Sequence, residues 1–532
     1  MKEVHSFDED GKFHVQSFEL QWGYYESFNS KEVHHSSPSQ QTHLQHINPQ
    51  STSRNDIGSS GSIDEENDRD NQNSGAYIFR PTIDNKFHII SETENINSKC
   101  ANNDKTNISS NTVNYFKTKL VTEVHHQVSS WIKQIIRLKR GAPYIEIEYH
   151  VGPIPRYDNI GKEVVIRYTS TDVRNKLENN ETNTVFFTDS NGREFMKRIL
   201  NTRESWDYGS TDSSRISSQP VSGNYYPVNA AIFIESNQIN ETGNKAQFSD
   251  LLLPRRSSLC VLTDRTQGGS SLSEGSIELM VHRRIFGDDA RGVGEPLDET
   301  SGGMDAYPPY GDAKRSGEGI QVIGTHRVLI GSSRGNDIGA SMARKEMDNM
   351  FSPVYLFMGS KKVETATLSD TKFTDNSFSA DPDLPFSNQW FSALSSDLPS
   401  NLMLITFKKL HGEVPRYLVR IGHQFAANES PKYEKLSEPV KVDMKTLFPQ
   451  GIKIKEMIEK TLSNNKARSQ WEATRIRWNT EQKGNSMENS TICFTGVNGD
   501  TTFTVGPMKI CTFEILIEKE SYNDVKFADV KF

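Results

Sequence analysis

YIEIEYHV (Tyr144–Val151) puts Ile145, Ile147, Tyr149 and Val151 on one side of an extended chain and Glu146, Glu148 and His150 on the other. Successive side chains of a strand point to opposite faces, so this period of two predicts a half-buried antiparallel strand with its apolar set turned to a core. The pattern recurs. In GSIELMVHRR (275–284), Ile277, Leu279 and Val281 fall together, and near the C-terminus Cys511, Phe513, Ile515 and Ile517 share a face. VFFTDSNGREFMKR (185–198) reads as two strands joined at Asn191-Gly192, a strong hairpin signal. IKIKEMIEKTLSNN (452–465) opens with strand alternation and is taken as strand because its surroundings are β. Helical periodicity is scarce. Its best candidate runs from about 337 to 350, where Ile338, Met342 and Met347 form a stripe.

These strands sit in a chain of 532 residues, long enough for two to four domains. Hydrophobic residues make up only 34%, so part of the sequence is polar and unpacked. The segment 30–73, rich in Ser, Asn, Gln and His, is predicted to be a disordered insertion. Its histidines (His34, His35, His43, His46) are taken as solvated rather than metal-binding. Polar stretches near 205–220 and 299–320 read as long surface loops. The expected organisation is a truncated start of a large sandwich (1–29), the insertion (30–73), a large β-sandwich (74–335), and a helix-led connector with a smaller β domain (336–532). The fold class is mainly β.

The net charge of −8, from 61 basic and 69 acidic residues, argues against nucleic acid as a partner. No apolar run approaches the roughly 20 residues of a membrane span. The start MKEVHSFDEDGKF lacks the apolar core of a signal peptide. Read alone, these features suggest a soluble cytosolic chain. Sequons at Asn107, Asn180, Asn240, Asn428 and Asn489 point instead to glycosylation; Asn428 is the weakest because Pro431 follows it. Of the four cysteines none lies in a CxxC pair, which disfavours a zinc knuckle or redox site. VNGD (497–500) reads as a hairpin turn that sets Cys493 opposite Thr504, away from Cys511, so free buried thiols are expected.

Several stretches are more specific than generic β sequence: SGAYIFRP (74–81), VGPIP (151–155), GKEV (161–164), FTDSNGRE (187–194), GNYYPVN (223–229), VLTDRTQGGSSL (261–272), ELMVHRRIFGDDARGVGEPL (278–297), HQFA (423–426) and GPMKICTF (506–513). In this order they resemble the C-terminal half of class II α-mannosidases, glycoside hydrolase family 38, with the lysosomal branch the nearest match. The resemblance extends from about Gln16 to the end. It implies a large galactose-mutarotase-like β-sandwich followed by a smaller β-sandwich domain.

It also implies a chemistry: removal of terminal α-linked mannose from N-glycan-type oligosaccharides with retention of configuration. Retention uses a nucleophilic carboxylate and an acid/base carboxylate about 5–5.5 Å apart. In the family an N-terminal barrel supplies the nucleophile and, with a following helical segment, the zinc ligands. This sequence departs from that pattern. It holds no HHD or HDA motif, and by the resemblance it starts inside the large sandwich. The expected partners are therefore α-mannoside glycans and the N-terminal catalytic domain, which would carry the zinc. No catalytic or metal-binding residue is expected in this chain. Lysosomal members are cut into chains that stay together, which makes association plausible, and the implied compartment is the lysosome or endomembrane lumen.

Two residues are expected at the edge of the mannose pocket, Arg291 of the DxRG turn and Tyr77 of SGAY. Guanidinium and phenol groups both offer donors to sugar hydroxyls. The plainer alternative for Arg291 is an ion pair with Asp289 in a glycine-kinked turn. Asp288 and Asp289 are not expected to be a catalytic pair, because neighbours in a turn rarely aim both carboxylates across one sugar. TDRTQGGSS is expected to be a turn with glycines at positive φ, and NYYPVN aromatic core packing. The alternative function is a stand-alone β-sandwich that binds glycans or partners without catalysis; a third reading is a non-functional fragment.

Overall fold

The computed structural model describes residues 3–7, 13–29, 72–90, 113–177, 180–189, 191–202, 219–236, 255–292, 294–300, 319–334, 338–353, 394–395, 397–427, 431–448, 452–476, 493–494 and 500–519. The insertion 30–71, most of the loops near 205–220 and 299–320, and Asn107, Asn240, Asn428 and Asn489 lie outside them. Asn180 begins a strand, but its side chain is not described. The chain folds as two compact units, Met1–Phe351 and Ser352–Phe532.

The first unit is built on two large antiparallel sheets, with a separate hairpin of Glu3–Phe7 and Phe13–Ser17. The ten-stranded sheet runs in the order Lys176–Leu177, Asn180–Asp189, Ala231–Glu235, Arg255–Thr263, Val322–Arg334, Ile145–Val151, Ile132–Lys139, Val121–Ser129, Val113–Lys117, with Phe195–Ile199 also paired to Asn180–Asp189. The six-stranded sheet runs Tyr226–Val228, Gln267–Ser270, Ser276–Arg284, Lys162–Thr169, Glu19–Glu26, Phe87–Ile89. The period-two reading holds. Ile145, Ile147, Tyr149 and Val151 are buried and meet Val164, Ile166, Ile277 and Leu279 of the other sheet in one core, so the unit is a β-sandwich. Inside that core a polar chain is fully satisfied. His326 contacts the Tyr168 hydroxyl (2.8 Å) through Nδ1 and Gln267 (2.7 Å) through Nε2, and Gln267 donates to the Tyr149 hydroxyl (2.9 Å).

The helix Ile338–Phe351 forms where the apolar spacing predicts it. Met347 and Ala343 are buried against Phe233, Cys260, Leu262 and Leu329 on the outer face of the ten-stranded sheet, and Met342 packs beside them. The helix therefore belongs to the first unit and does not lead the second, because its apolar stripe is matched by the apolar outer face of that sheet. The 185–199 hairpin also forms, but with a wider turn than two residues. Asp189 pairs with Phe195, and the Asn191 carboxamide oxygen accepts the N–H groups of Arg193 (3.0 Å) and Glu194 (2.9 Å).

The second unit has a four-stranded sheet, Leu402–Lys409, Arg416–His423, Ile510–Lys519, Ile452–Lys460, and a two-stranded sheet, Val440–Asp443 with Thr502–Val505. Phe513 and Ile515 from the first pack on Val442 and Phe503 from the second. The strand reading of 452–460 is confirmed. The free-thiol expectation is not: Cys493 and Cys511 form a disulfide, with Cα atoms 5.9 Å apart. Cys493 does lie against Thr504, whose N–H donates to its carbonyl (3.0 Å). A second turn at Gly506–Lys509 then folds the chain back and returns Cys511 to the same place. Cys260 is free and buried, as expected.

Candidate functional site

The turn DDARGVGEP (288–296) leaves the end of the strand Ser276–Arg284 and is clamped at its base. Arg284 pairs with Asp298 (2.6 Å) and also donates to the Ile154 carbonyl (2.6 Å), while Ile285 N–H bonds the Leu297 carbonyl (3.1 Å). Between these points the backbone turns left-handed at Ala290 (φ 56°), Gly292 (φ 142°) and Gly294 (φ 73°).

Asp289 is 2% exposed and holds the turn to the 74–81 loop. Its Oδ2 accepts the N–H groups of Tyr77 (2.7 Å) and Ile78 (3.1 Å), and its Oδ1 accepts the N–H of Arg291 (3.0 Å). The approach is so close that a Cβ on Gly75 would collide with the Asp289 side chain. A carboxylate spent on three backbone donors is a structural anchor. The Arg291 guanidinium does not make the ion pair with Asp289 that was its plainer alternative; its Nε (2.8 Å) and Nη2 donate to the Gln72 carboxamide oxygen. Gln72 in turn donates to the Asp289 carbonyl (2.8 Å), and Asn73 to the Asp288 carbonyl (3.1 Å). Gln72 and Asn73 are thus part of the site, not the last residues of an unstructured insertion. Sequence reasoning missed them because they close a long polar run with no apolar signal.

The outcome is an exposed pair. Tyr77 is 63% exposed and Arg291 is exposed, and the turn passes close to the Tyr77 ring at the next residue, where a Cβ on Gly292 would lie 3.7 Å from it. Beneath them, buried Glu163 of GKEV pairs with Arg283 of MVHRR through both carboxylate oxygens. Ser74 Oγ donates to Glu163 (2.6 Å), and Arg283 reaches the Ile78 carbonyl (2.8 Å). Burial works against the charge of Arg283, but the adjacent Glu163 carboxylate outweighs it and holds the guanidinium pKa above its ordinary value. Three separate sequence motifs therefore close on one another under Tyr77 and Arg291.

Other motifs are structural by their contacts. Asp189 accepts the N–H groups of Asn229 (2.9 Å), Ala230 (2.8 Å) and Ala231 (2.9 Å) at Oδ1 and of Gly192 (2.8 Å) at Oδ2, joining FTDSNGRE to GNYYPVN. Tyr225 and Tyr25 both donate to buried Glu278 (2.9 and 3.0 Å), which also binds Arg167. Burial, then the Glu278 charge, push both phenol pKa values up. Tyr226 is buried in the main core. The expectation of positive-φ glycines in TDRTQGGSS is corrected. Gly268 and Gly269 lie in the strand Gln267–Ser270, and glycine is needed at 269 because a Cβ would meet Val228 at 2.7 Å. Among the described residues no group of three His, Cys, Asp or Glu converges as a metal would require. Nor is any described helix long and apolar enough to cross a membrane.

Residues 64–291 match the family described as Glycosyl hydrolases family 38 C-terminal domain. The chain is similar to an alpha-mannosidase of Canavalia ensiformis (32% identity over 84% of this chain and 37% of that protein). It is also similar to the lysosomal alpha-mannosidases of Mus musculus (34%; 83% and 34%) and Homo sapiens (34%; 77% and 32%). The chain spans about a third of the length of these curated relatives.

Proposed function

We propose that the chain, whose residues 64–291 match the C-terminal domain of glycosyl hydrolases family 38, is the non-catalytic portion of a retaining α-mannosidase. In this reading it presents Arg291 and Tyr77 to terminal α-mannose of N-glycan-type substrates. The two reacting carboxylates and the zinc ion would come from an N-terminal catalytic domain, and this chain alone would not turn over substrate. One observation carries the proposal: Arg291 and Tyr77 are both exposed, and the backbone N–H groups of both are held by one buried carboxylate, that of Asp289, above the Glu163–Arg283 pair. A guanidinium and a phenol so placed offer several donors to sugar hydroxyls while their backbone is immobilised, so little ordering cost is left for binding.

The Cys493–Cys511 disulfide supports an oxidising compartment, because such bridges form and persist in secretory and endomembrane lumens. Together with relatives named as lysosomal enzymes, it favours a lysosomal location, where Asn107, Asn180, Asn240 and Asn489 would be glycan acceptors.

The test uses the chain associated with a family catalytic portion. Arg291→Ala and Tyr77→Phe should each lower kcat/KM for an α-mannoside by about tenfold or more, as expected when a sugar hydroxyl loses its donor. Values unchanged within twofold for both variants would remove these residues from the pocket.

A further inference from the structure

Two of the motifs that hold the first unit together also wall a cavity. The turn of FTDSNGRE (187–194) and the residues just before the strand Ala231–Glu235 face the last turn of the helix Ile338–Phe351 across a space of about 480 Å³. That volume falls in the range of small-molecule sites, about 300–1,000 Å³. The helix covers the outer face of the ten-stranded sheet, whereas the 288–296 turn leaves the six-stranded one. The cavity is therefore separate from Arg291 and Tyr77.

Its walls are fixed from both sides. On one, the Asp189 carboxylate accepts the N–H groups of Gly192 (2.8 Å), Asn229 (2.9 Å) and Ala230 (2.8 Å). On the other, Arg344 of the helix donates to the Arg193 carbonyl and lies over the Phe195 ring, 5.7 Å from its centroid, while Arg193 pairs with Asp348. A site so braced is formed before a ligand arrives, which lowers the ordering cost of binding.

The lining selects a kind of ligand. Met347 and Ala230, each 2% exposed, give an apolar floor, and Phe351, 49% exposed, adds an aromatic ring. Arg193 and Asp348 neutralise each other, which leaves little to attract a phosphate or a metal cation. Hydrogen-bonding capacity remains. The Asn191 carboxamide oxygen is spent on the N–H groups of Arg193 and Glu194, and that of Asn229 on the Thr266 hydroxyl (3.2 Å). Among the described residues both carboxamide NH₂ groups, and one oxygen of Asp348, have no partner. Donors and an acceptor around an apolar floor beside an aromatic ring complement a pyranose, which has an apolar C–H face and a rim of hydroxyls that both donate and accept. We infer that this cavity is a second carbohydrate site, which takes a terminal α-mannose residue of a glycan away from Arg291 and Tyr77. The choice of mannose among pyranoses rests on reading the chain as part of an α-mannosidase.

The experiment labels the methionine methyl groups of the full chain and follows them by NMR during titration with methyl α-D-mannopyranoside. Met347 lines the cavity, so its resonance, assigned by its loss in Met347→Leu, reports occupancy directly. A saturable shift with a Kd on the order of 1 mM is expected for so small a ligand. Phe351→Ala and Asp348→Ala should each raise that Kd about tenfold or more. Thermal melts of both variants check the fold. Arg291→Ala should leave the Met347 titration within twofold of wild type. A Met347 methyl that does not move, that moves equally with glycerol, or that titrates unchanged in both cavity variants overturns the inference. Loss of the shift in Arg291→Ala would assign the sugar to the Arg291 and Tyr77 pair and also overturn it. None of these results removes the α-mannosidase reading, which is judged separately by kcat/KM of the associated enzyme.

Discussion

The Asp289 carboxylate accepts the backbone N–H of Tyr77 at 2.7 Å across 212 residues of sequence, and its other oxygen accepts the N–H of Arg291 at 3.0 Å. One buried acid therefore fixes the position of both exposed residues. This separates the roles of the two aspartates the turn displays. Asp289 holds the platform, and neither it nor Asp288 is assigned to bond cleavage.

Asp289→Ala should destabilise the first unit by about 2–4 kcal/mol, because three backbone donors lose their acceptor in a buried site. Arg291→Ala, at an exposed position, should change stability by no more than about 0.5 kcal/mol. Chemical denaturation of both variants checks the contrast. Equal effects would mean that the turn is not held by Asp289.

Gln72 is a positioning residue for Arg291. Gln72→Ala frees the guanidinium, so KM of the associated enzyme for an α-mannoside should rise about threefold to tenfold with kcat little changed. Gln72→Glu, which keeps an acceptor oxygen, should restore most of the loss. A merely structural residue would give no such rescue.

Removing Arg283 should cost about 3–5 kcal/mol, since it strands the fully buried Glu163 carboxylate, and removing Glu163 should cost less, because Arg283 is 20% exposed and keeps the Ile78 carbonyl. Replacing both with methionine should cost less than the sum of the singles. Additive losses in a double-mutant cycle would contradict the pairing.

The 18-residue separation of Cys493 and Cys511 sets the entropic effect of their bridge. Removing it with Cys493→Ser and Cys511→Ser together should lower the stability of the second unit by about 3 kcal/mol. The first unit should melt as before. Calorimetry with two resolved transitions reads both at once.

His326 gives a pH signature. Burial, helped by Arg265 and opposed by Asp264, holds its pKa down to about 3 against the ordinary 6.5. The folded state keeps it neutral while the unfolded state takes up a proton below 6.5. Its stability contribution is therefore complete above pH 6.5 and is lost as pH falls from 6.5 towards 3, at up to about 1.4 kcal/mol per unit. His326→Gln should flatten that part of the stability profile. An unchanged slope would show that His326 takes up its proton in the folded state.

Much of the sandwich was legible in the sequence because its strands obey a two-residue period; Ile145–Val151 and Ser276–Arg284 bury the sides that alternation names. The helix was legible for the same kind of reason, since Ile338 and Met342 lie four residues apart, one helical repeat. What failed depended on contacts distant in sequence. One turn placed Cys493 correctly beside Thr504, but the Cys511 partner needed a second turn that periodicity does not reveal. Gly269 reads as a turn residue until Val228 is known to pack on it. Gln72 carries no local signal, and its role exists only because the 288–296 turn reaches it.

The most direct test is hydrolysis of a chromogenic α-mannoside, with zinc added, by the purified chain alone and by the chain associated with a family catalytic portion. Background rates are expected for the chain alone and turnover for the pair. Clear turnover by the chain alone would contradict the non-catalytic role.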